Sequence, residues 1–169
     1  MNRLMCQAVI FDLDGVLVDS TAVVERSWQR WATSHGLDFE MVLQIAHGRR
    51  AAETMRIVAP HLDADAETAR MAAEEVQDAD GMVKIEGAVR LVRSLPEGRW
   101  AVATSATREI ATARLTFVGI STPAVLITAD DIERGKPDPR IYALTAERLG
   151  VLPENCVVIE DAPVGIQGA

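Results

Sequence analysis

The chain has 169 residues, with 17 Lys and Arg against 25 Asp and Glu, a formal net charge of −8. Apolar residues make up 49% and charged residues 25%, ordinary globular proportions that argue against disorder and suffice for one core, or one core with an inserted subdomain. The acidic balance argues against nucleic-acid binding, because there is no basic excess to displace counterions, and 4% aromatics leave little for base stacking.

The first residues, Met1–Gln7, lack the apolar core of a signal peptide. No apolar run approaches the ~18 residues of a membrane span. A soluble, cytoplasmic chain is therefore expected, without a membrane partner. Cys6 and Cys156 are too few for a disulfide framework. Each stands beside a predicted buried strand, so both are expected to pack inside.

Four short apolar runs read as buried strands: Ala8–Phe11, Trp100–Ala103, Val125–Ile127 and Val157–Ile159. They are apolar nearly throughout rather than alternating, the pattern of a sheet covered by helices on both faces. Roughly 85 residues separate the first run from the second, several times a normal connection. Within them Ser20 reads as the cap of a helix whose apolar face carries Val24, Trp28, Trp31 and Ala32, ended by Gly36. Trp28 and Trp31 are expected to pack, not to stack on a ligand. Ala66, Ala69, Ala73 and Val76 suggest a second helical face. A helical cap over residues 19–84 is thus expected, inserted into a core formed by residues 1–18 and 85–169. Ile85–Leu95 is expected to be the helix that rejoins that core.

Beyond the second strand, helical patterns span Arg108–Phe117 and Arg140–Leu149, closed by Gly119 and Gly150. Asp138-Pro139 reads as an N-cap followed by a proline at the first helical position. Strand–helix–strand alternation implies a Rossmann-like α/β fold with a parallel sheet and right-handed crossovers. At Gly165–Ala169 a helix is only starting, so the C-terminus reads as truncated.

In open parallel sheets ligands bind beyond the carboxyl ends of the strands. The polar residues expected there are Asp12 and Asp14, Thr104 and Ser105, Glu160 and Asp161, with Lys136 in the loop beyond the third strand. In extended backbone, residues two apart point the same way, so Asp12 and Asp14 are expected to face one site, with Gly15 turning the chain away. Carboxylates gathered from separate segments repel one another unless a divalent cation holds them, and an all-oxygen set suits Mg²⁺.

Phe11-Asp12-Leu13-Asp14-Gly15-Val16-Leu17-Val18-Asp19-Ser20 resembles the first motif of the haloacid dehalogenase-like phosphohydrolase superfamily. Thr104-Ser105 resembles its second motif, Gly135-Lys136-Pro137-Asp138-Pro139 its third, and Val158–Ile166 its fourth. A cap after the first motif resembles the β-phosphoglucomutase-like subgroup, which includes many small sugar- and polyol-phosphate phosphatases. The resemblance implies that Asp12 is the nucleophile and Asp14 the general acid and base. It implies that Asp12, the Asp14 backbone carbonyl, Glu160 and Asp161 hold Mg²⁺, that Thr104 and Ser105 bind the phosphoryl group, and that Lys136 supplies positive charge. Asp14 further argues against dehalogenation, since a halide leaves without a proton.

Two mutase cap residues have no counterpart at their own positions: Val24 stands where the mutases carry a histidine, and Ala51 where they carry an arginine, with Arg49 or Arg50 able to act from nearby. Hydrolysis of a small phosphorylated metabolite is therefore the expected activity. The alternatives are a sugar-phosphate mutase and a non-catalytic truncated domain. In the loop His47-Gly48-Arg49-Arg50, His47 and Arg49 are candidate substrate contacts. His35 and His61 lack ligand spacing and read as structural or solvated.

Overall fold

The structure is a computed structural model that describes residues 5–169. The expectation about the leading segment rests largely on Met1–Leu4, which lie outside them. Strand β1 (Ala8–Phe11) is central, and the chain returns to it twice, with β4 (Trp100–Ala103) on one side and β6 (Cys156–Ile159) on the other. The pair β5 (Leu126–Ile127) lies beyond β4, giving a four-stranded parallel sheet in the order β5-β4-β1-β6. Val9 stands opposite both Trp100 and Val157, and Phe11 opposite Val102 and Ile159.

The uninterrupted apolar character of β1 has a direct cause. Val9 and Phe11 join a cluster with Val89, Val92, Leu115 and Val118, whereas Ile10 joins Ile141, Leu144 and Ala146 on the opposite face. The first set belongs to α5 (Glu86–Ser94) and α6 (Arg108–Val118), the second to α7 (Arg140–Leu149). With helices on both faces, alternate side chains all find apolar partners. The predicted strands and crossover helices are reproduced within a few residues. Gly119 and Gly150 close α6 and α7 in the left-handed conformation.

Between β1 and β4 lie α1 (Thr21–Ser34), α2 (Phe39–Ala46), α3 (Ala51–Val58) and α4 (Ala64–Glu75). Their cluster includes Trp28, Trp31, Val42, Ala52, Met55 and Met71 and takes no residue from the sheet. The two indoles meet edge to face, with centroids 5.6 Å apart. Before α1 and after α4, the antiparallel pair β2 (Val18–Asp19) and β3 (Val83–Lys84) joins the two ends of this helical segment. Two-residue strands leave no periodicity to read, and the sequence reading missed them. The chain closes with α8 (Pro163–Gly168). Among the described residues, no helix is long and apolar enough to cross a membrane.

Several local expectations need correction. Ala66, Ala69 and Ala73 are exposed, and α4 buries Ala64, Glu67, Met71 and Ala72 instead. Burying the larger Met71, and Glu67 as acceptor for the Trp31 indole N–H at 3.0 Å, outweighs burying three methyl groups. Cys6 is exposed and Cys156 only half-buried. Cys6 precedes the covered part of β1, and β6 is an edge strand whose four residues are all half-buried. Pro139 rather than Asp138 takes the cap position of α7, and Asp138 Oδ1 accepts from the Arg140 N–H at 2.9 Å.

Candidate active site

The site residues leave the carboxyl ends of three parallel strands. Asp12 follows β1 directly, and its backbone N–H donates to the Ile159 carbonyl at 2.9 Å, so the end of β6 fixes where Asp12 starts. Thr104 follows β4 and donates its N–H to the Ile127 carbonyl at 3.0 Å. Its Oγ1 accepts from the Ala106 N–H at 3.1 Å. Glu160 and Asp161 follow β6. Sheet pairing therefore converts distant sequence positions into neighbours.

Asp12, Glu160 and Asp161 bring one carboxylate oxygen each within 4.8 Å of one another. Asp12 Oδ1 is buried without a hydrogen-bond partner, although Lys136 Nζ stands 3.0 Å away. The surrounding backbone is shaped around these carboxylates. A Cβ on Gly15 would collide with the Asp161 carboxylate, and one on Gly165 with the Glu160 carboxylate. Three gathered carboxylates, one with a buried oxygen that receives no hydrogen bond, and glycines kept clear of them fit a hard divalent cation such as Mg²⁺.

Lys136 is the positive counterpart, only 1% exposed, paired with Asp12 and Glu160. It approaches from the loop before α7, where the Lys136–Pro137 peptide is cis. Tyr142 of α7 donates its hydroxyl to Glu160 Oε1 at 3.1 Å, and the Ala162 N–H donates to Glu160 Oε2 at 2.7 Å. Burial pushes the Asp12 carboxyl up, to about 7; Lys136 opposes this, and the Glu160 and Asp14 charges add to it. For Lys136, burial disfavours the ammonium, but Asp12 and Glu160 outweigh it and hold the group above an ordinary lysine. Glu160 is held low: burial acts against its charge, and Lys136 more than compensates. Asp161 is raised by burial and by its neighbour Glu160.

Asp14 lies outside the three-carboxylate cluster. Its Oδ1 accepts from the Ser20 hydroxyl at 2.6 Å, and its Oδ2 from Arg114 Nη1 at 2.6 Å. Ser20 thus occupies the cap position of α1 without capping it, because its hydroxyl is committed to Asp14. Ser105 Oγ donates to the Gly48 carbonyl at 2.9 Å, joining the core to the loop between α2 and α3. Arg50 donates to the Glu133 carbonyl at 2.6 Å, and Glu53 Oε1 accepts from the Gly135 N–H at 2.7 Å, so the same region also grips the Lys136 loop.

A cavity of about 590 Å³ is lined by Asp12, Asp14, Thr104, Ser105 and Asp161 from the sheet side, with Lys136 and Glu160 behind its wall. His47, Arg49, Val24 and Trp28 line it from the helical side. Trp28 is at once a packing residue and part of the wall. His35 accompanies Trp31, with Nδ1 2.9 Å from its carbonyl, and His61 is exposed. Sequence reading missed Arg114, Glu75 and Tyr142. Arg114 had a legible signal: it lies at helical spacing among Ile110, Ala111, Leu115 and Val118, all buried, where a charge demands a partner.

The chain is 42% identical over 166 residues to hexitol phosphatase A of Escherichia coli, covering 95% of this chain and 77% of that protein. It is 34% identical over 176 residues to glycerol-1-phosphate phosphohydrolase 2 of Saccharomyces cerevisiae, covering 96% of this chain and 70% of the other. Among solved structures, a hydrolase from Pseudomonas syringae superimposes with a TM-score of 0.84 at 24% identity, over 96% of this chain and 79% of that one, a likeness of fold. The family model for haloacid dehalogenase-like hydrolases matches residues 6–169, and the chain belongs to that family.

Proposed function

We propose that the protein is a Mg²⁺-dependent phosphatase of small phosphorylated sugars or polyols, working through an aspartyl-phosphate on Asp12. The observation that carries this reading is the buried Asp12 carboxylate, ion-paired with Lys136 and gathered with two further carboxylates at the mouths of β1 and β6. Relatives named as hexitol and glycerol-1-phosphate hydrolases support the substrate class.

In this reading a carboxylate oxygen of Asp12 attacks phosphorus and the bond to the ester oxygen breaks. Asp14 gives its proton to the departing alkoxide, leaving a free alcohol and phosphorylated Asp12. Asp14, now a carboxylate, takes a proton from water, whose oxygen attacks phosphorus; phosphate leaves and Asp12 is restored. Lys136 neutralises charge as the anionic nucleophile meets an anionic phosphoryl group. The Thr104 hydroxyl and the Ser105 N–H hold phosphoryl oxygens. The Asp12 and Asp161 carboxylates and the Asp14 carbonyl, with Glu160 near, would hold Mg²⁺, which would supply charge neutralisation favouring nucleophilic approach.

Residues 19–84 serve as a cap over this centre, and His47 and Arg49 meet the non-reacting part of the substrate. Hydrolysis is preferred over mutase chemistry because Val24 and Ala51, both in the cavity wall, stand in place of the mutase histidine and arginine, although Arg49 and Arg50 line the same wall. With Mg²⁺ present, Asp12→Asn is expected to abolish phosphate release from p-nitrophenyl phosphate and from a panel of sugar and polyol phosphates. Turnover retained by that variant would refute the nucleophile assignment. Conversion of a hexose 1-phosphate to its isomer, without free phosphate, would favour the mutase.

A further inference from the structure

Arg114 is the most deeply buried arginine of the site, with a side chain 5% exposed, in the interior of α6. One arm, Nη1, donates to Asp14 Oδ2 at 2.6 Å; the other, Nη2, donates to Glu75 Oε1. Glu75 is the last residue of α4, and its side chain is 9% exposed. A guanidinium is a planar fork whose donors hold fixed relative directions, so engaging both carboxylates constrains both. Ser20 takes the remaining Asp14 oxygen. The Asp14 carboxylate is thereby held from two sides, by the start of α1 and by an arginine anchored on α4. Arg114 also lines the cavity, and each of its terminal nitrogens already spends one N–H on a carboxylate.

We propose that Arg114 is a positioning residue that, with Ser20, fixes the Asp14 carboxylate, and that Glu75 sets where Arg114 stands. This rests on Asp14 acting as the acid/base of the proposed phosphatase. It assigns a function to a buried triad that belongs neither to the carboxylate cluster nor to the phosphoryl-binding residues. Misplacing a reacting group by about 1 Å costs on the order of 10²-fold in rate. A loss of that size is expected when the fork is removed.

The test uses the Mg²⁺-loaded protein with two probes that differ in leaving group, phenyl phosphate and p-nitrophenyl phosphate. With phenyl phosphate, R114M is expected to lower kcat about 10²-fold with KM within about threefold of wild type. R114K, which keeps the charge without the fork, should fall between, and E75Q should shift kcat in the same direction. The first-turnover burst of p-nitrophenolate should keep its wild-type rate, because that leaving group departs without a proton. In the D14N background, adding R114M should slow phenyl phosphate turnover no further.

A raised KM at unchanged kcat, a slowed burst, or full multiplication of the D14N and R114M losses would overturn the proposal. Should R114M melt out, R114K and E75Q carry the same comparison. Phenyl phosphate turnover retained by D12N would sink the phosphoenzyme reading itself. A normal wild-type burst with unaltered kcat in the variants sinks only the role of Arg114.

Discussion

Replacing Lys136 by Met tests the electrostatic logic of the site most directly. The ammonium is 1% exposed and is the only cation paired with Asp12 and Glu160 among the described residues. Methionine fills similar space, so the packing loss is small. What remains is a pair of carboxylates, with side chains 8% and 2% exposed, facing each other without a counter-charge. Breaking a buried pair by removing one partner costs about 3–5 kcal/mol. For a chain of this length that corresponds to a Tm lower by roughly 6–20 °C without metal.

The sign with pH follows from Asp12. Its carboxyl is raised from 3.8 to about 7 in the folded protein, so the folded state retains a proton that the unfolded chain has released. Folding stability from this group is present below pH 3.8 and declines as pH rises toward 7. Without Lys136 the decline extends to higher pH, because the opposing charge is gone. Circular-dichroism melts of K136M against wild type should show a small deficit near pH 5 and a large one near pH 8. Adding Mg²⁺ should recover more stability in the variant than in wild type, since the cation then meets uncompensated carboxylates. An equal deficit at both pH values would mean that packing, not charge, is what Lys136 contributes, and would refute this account.

Gly15→Ala should weaken Mg²⁺ binding at least tenfold by titration calorimetry, because the new Cβ would collide with the Asp161 carboxylate. It should also lower stability by about 1 kcal/mol, since φ is +75° there. Unchanged affinity would remove Asp161 from the cation site. Mg²⁺ affinity of the wild-type protein should rise between pH 6 and 8, with proton release measured in buffers of different ionisation enthalpy. The cause is that a protonated Asp12 must ionise before it can ligate. Flat affinity across that range would separate Asp12 from the metal.

The first strand was legible because its neighbours cover both its faces, leaving an unbroken apolar run. The helix containing Trp28 and Trp31 was legible from spacing, since both indoles do pack. The face of α4 was not, because alanines carry too little area to decide which side turns inward. The candidate site divides in the same way. Asp12, Thr104, Glu160 and Asp161 follow strand ends, and any chain that pairs β1 with β4 and β6 must bring those ends together.

Residue order and apolar patterning therefore decide the sheet, its crossovers and the polar groups at its carboxyl edge, because these follow from local backbone preferences and burial. Folding in three dimensions alone decides that Ser20 serves Asp14 instead of its own helix, that Tyr142 supports Glu160, and that Arg114 joins Asp14 to Glu75. Arg114 and Asp14 are 100 positions apart, and no periodicity spans such a distance. Only the need to pair a buried charge, met after the helices have packed, selects its partners.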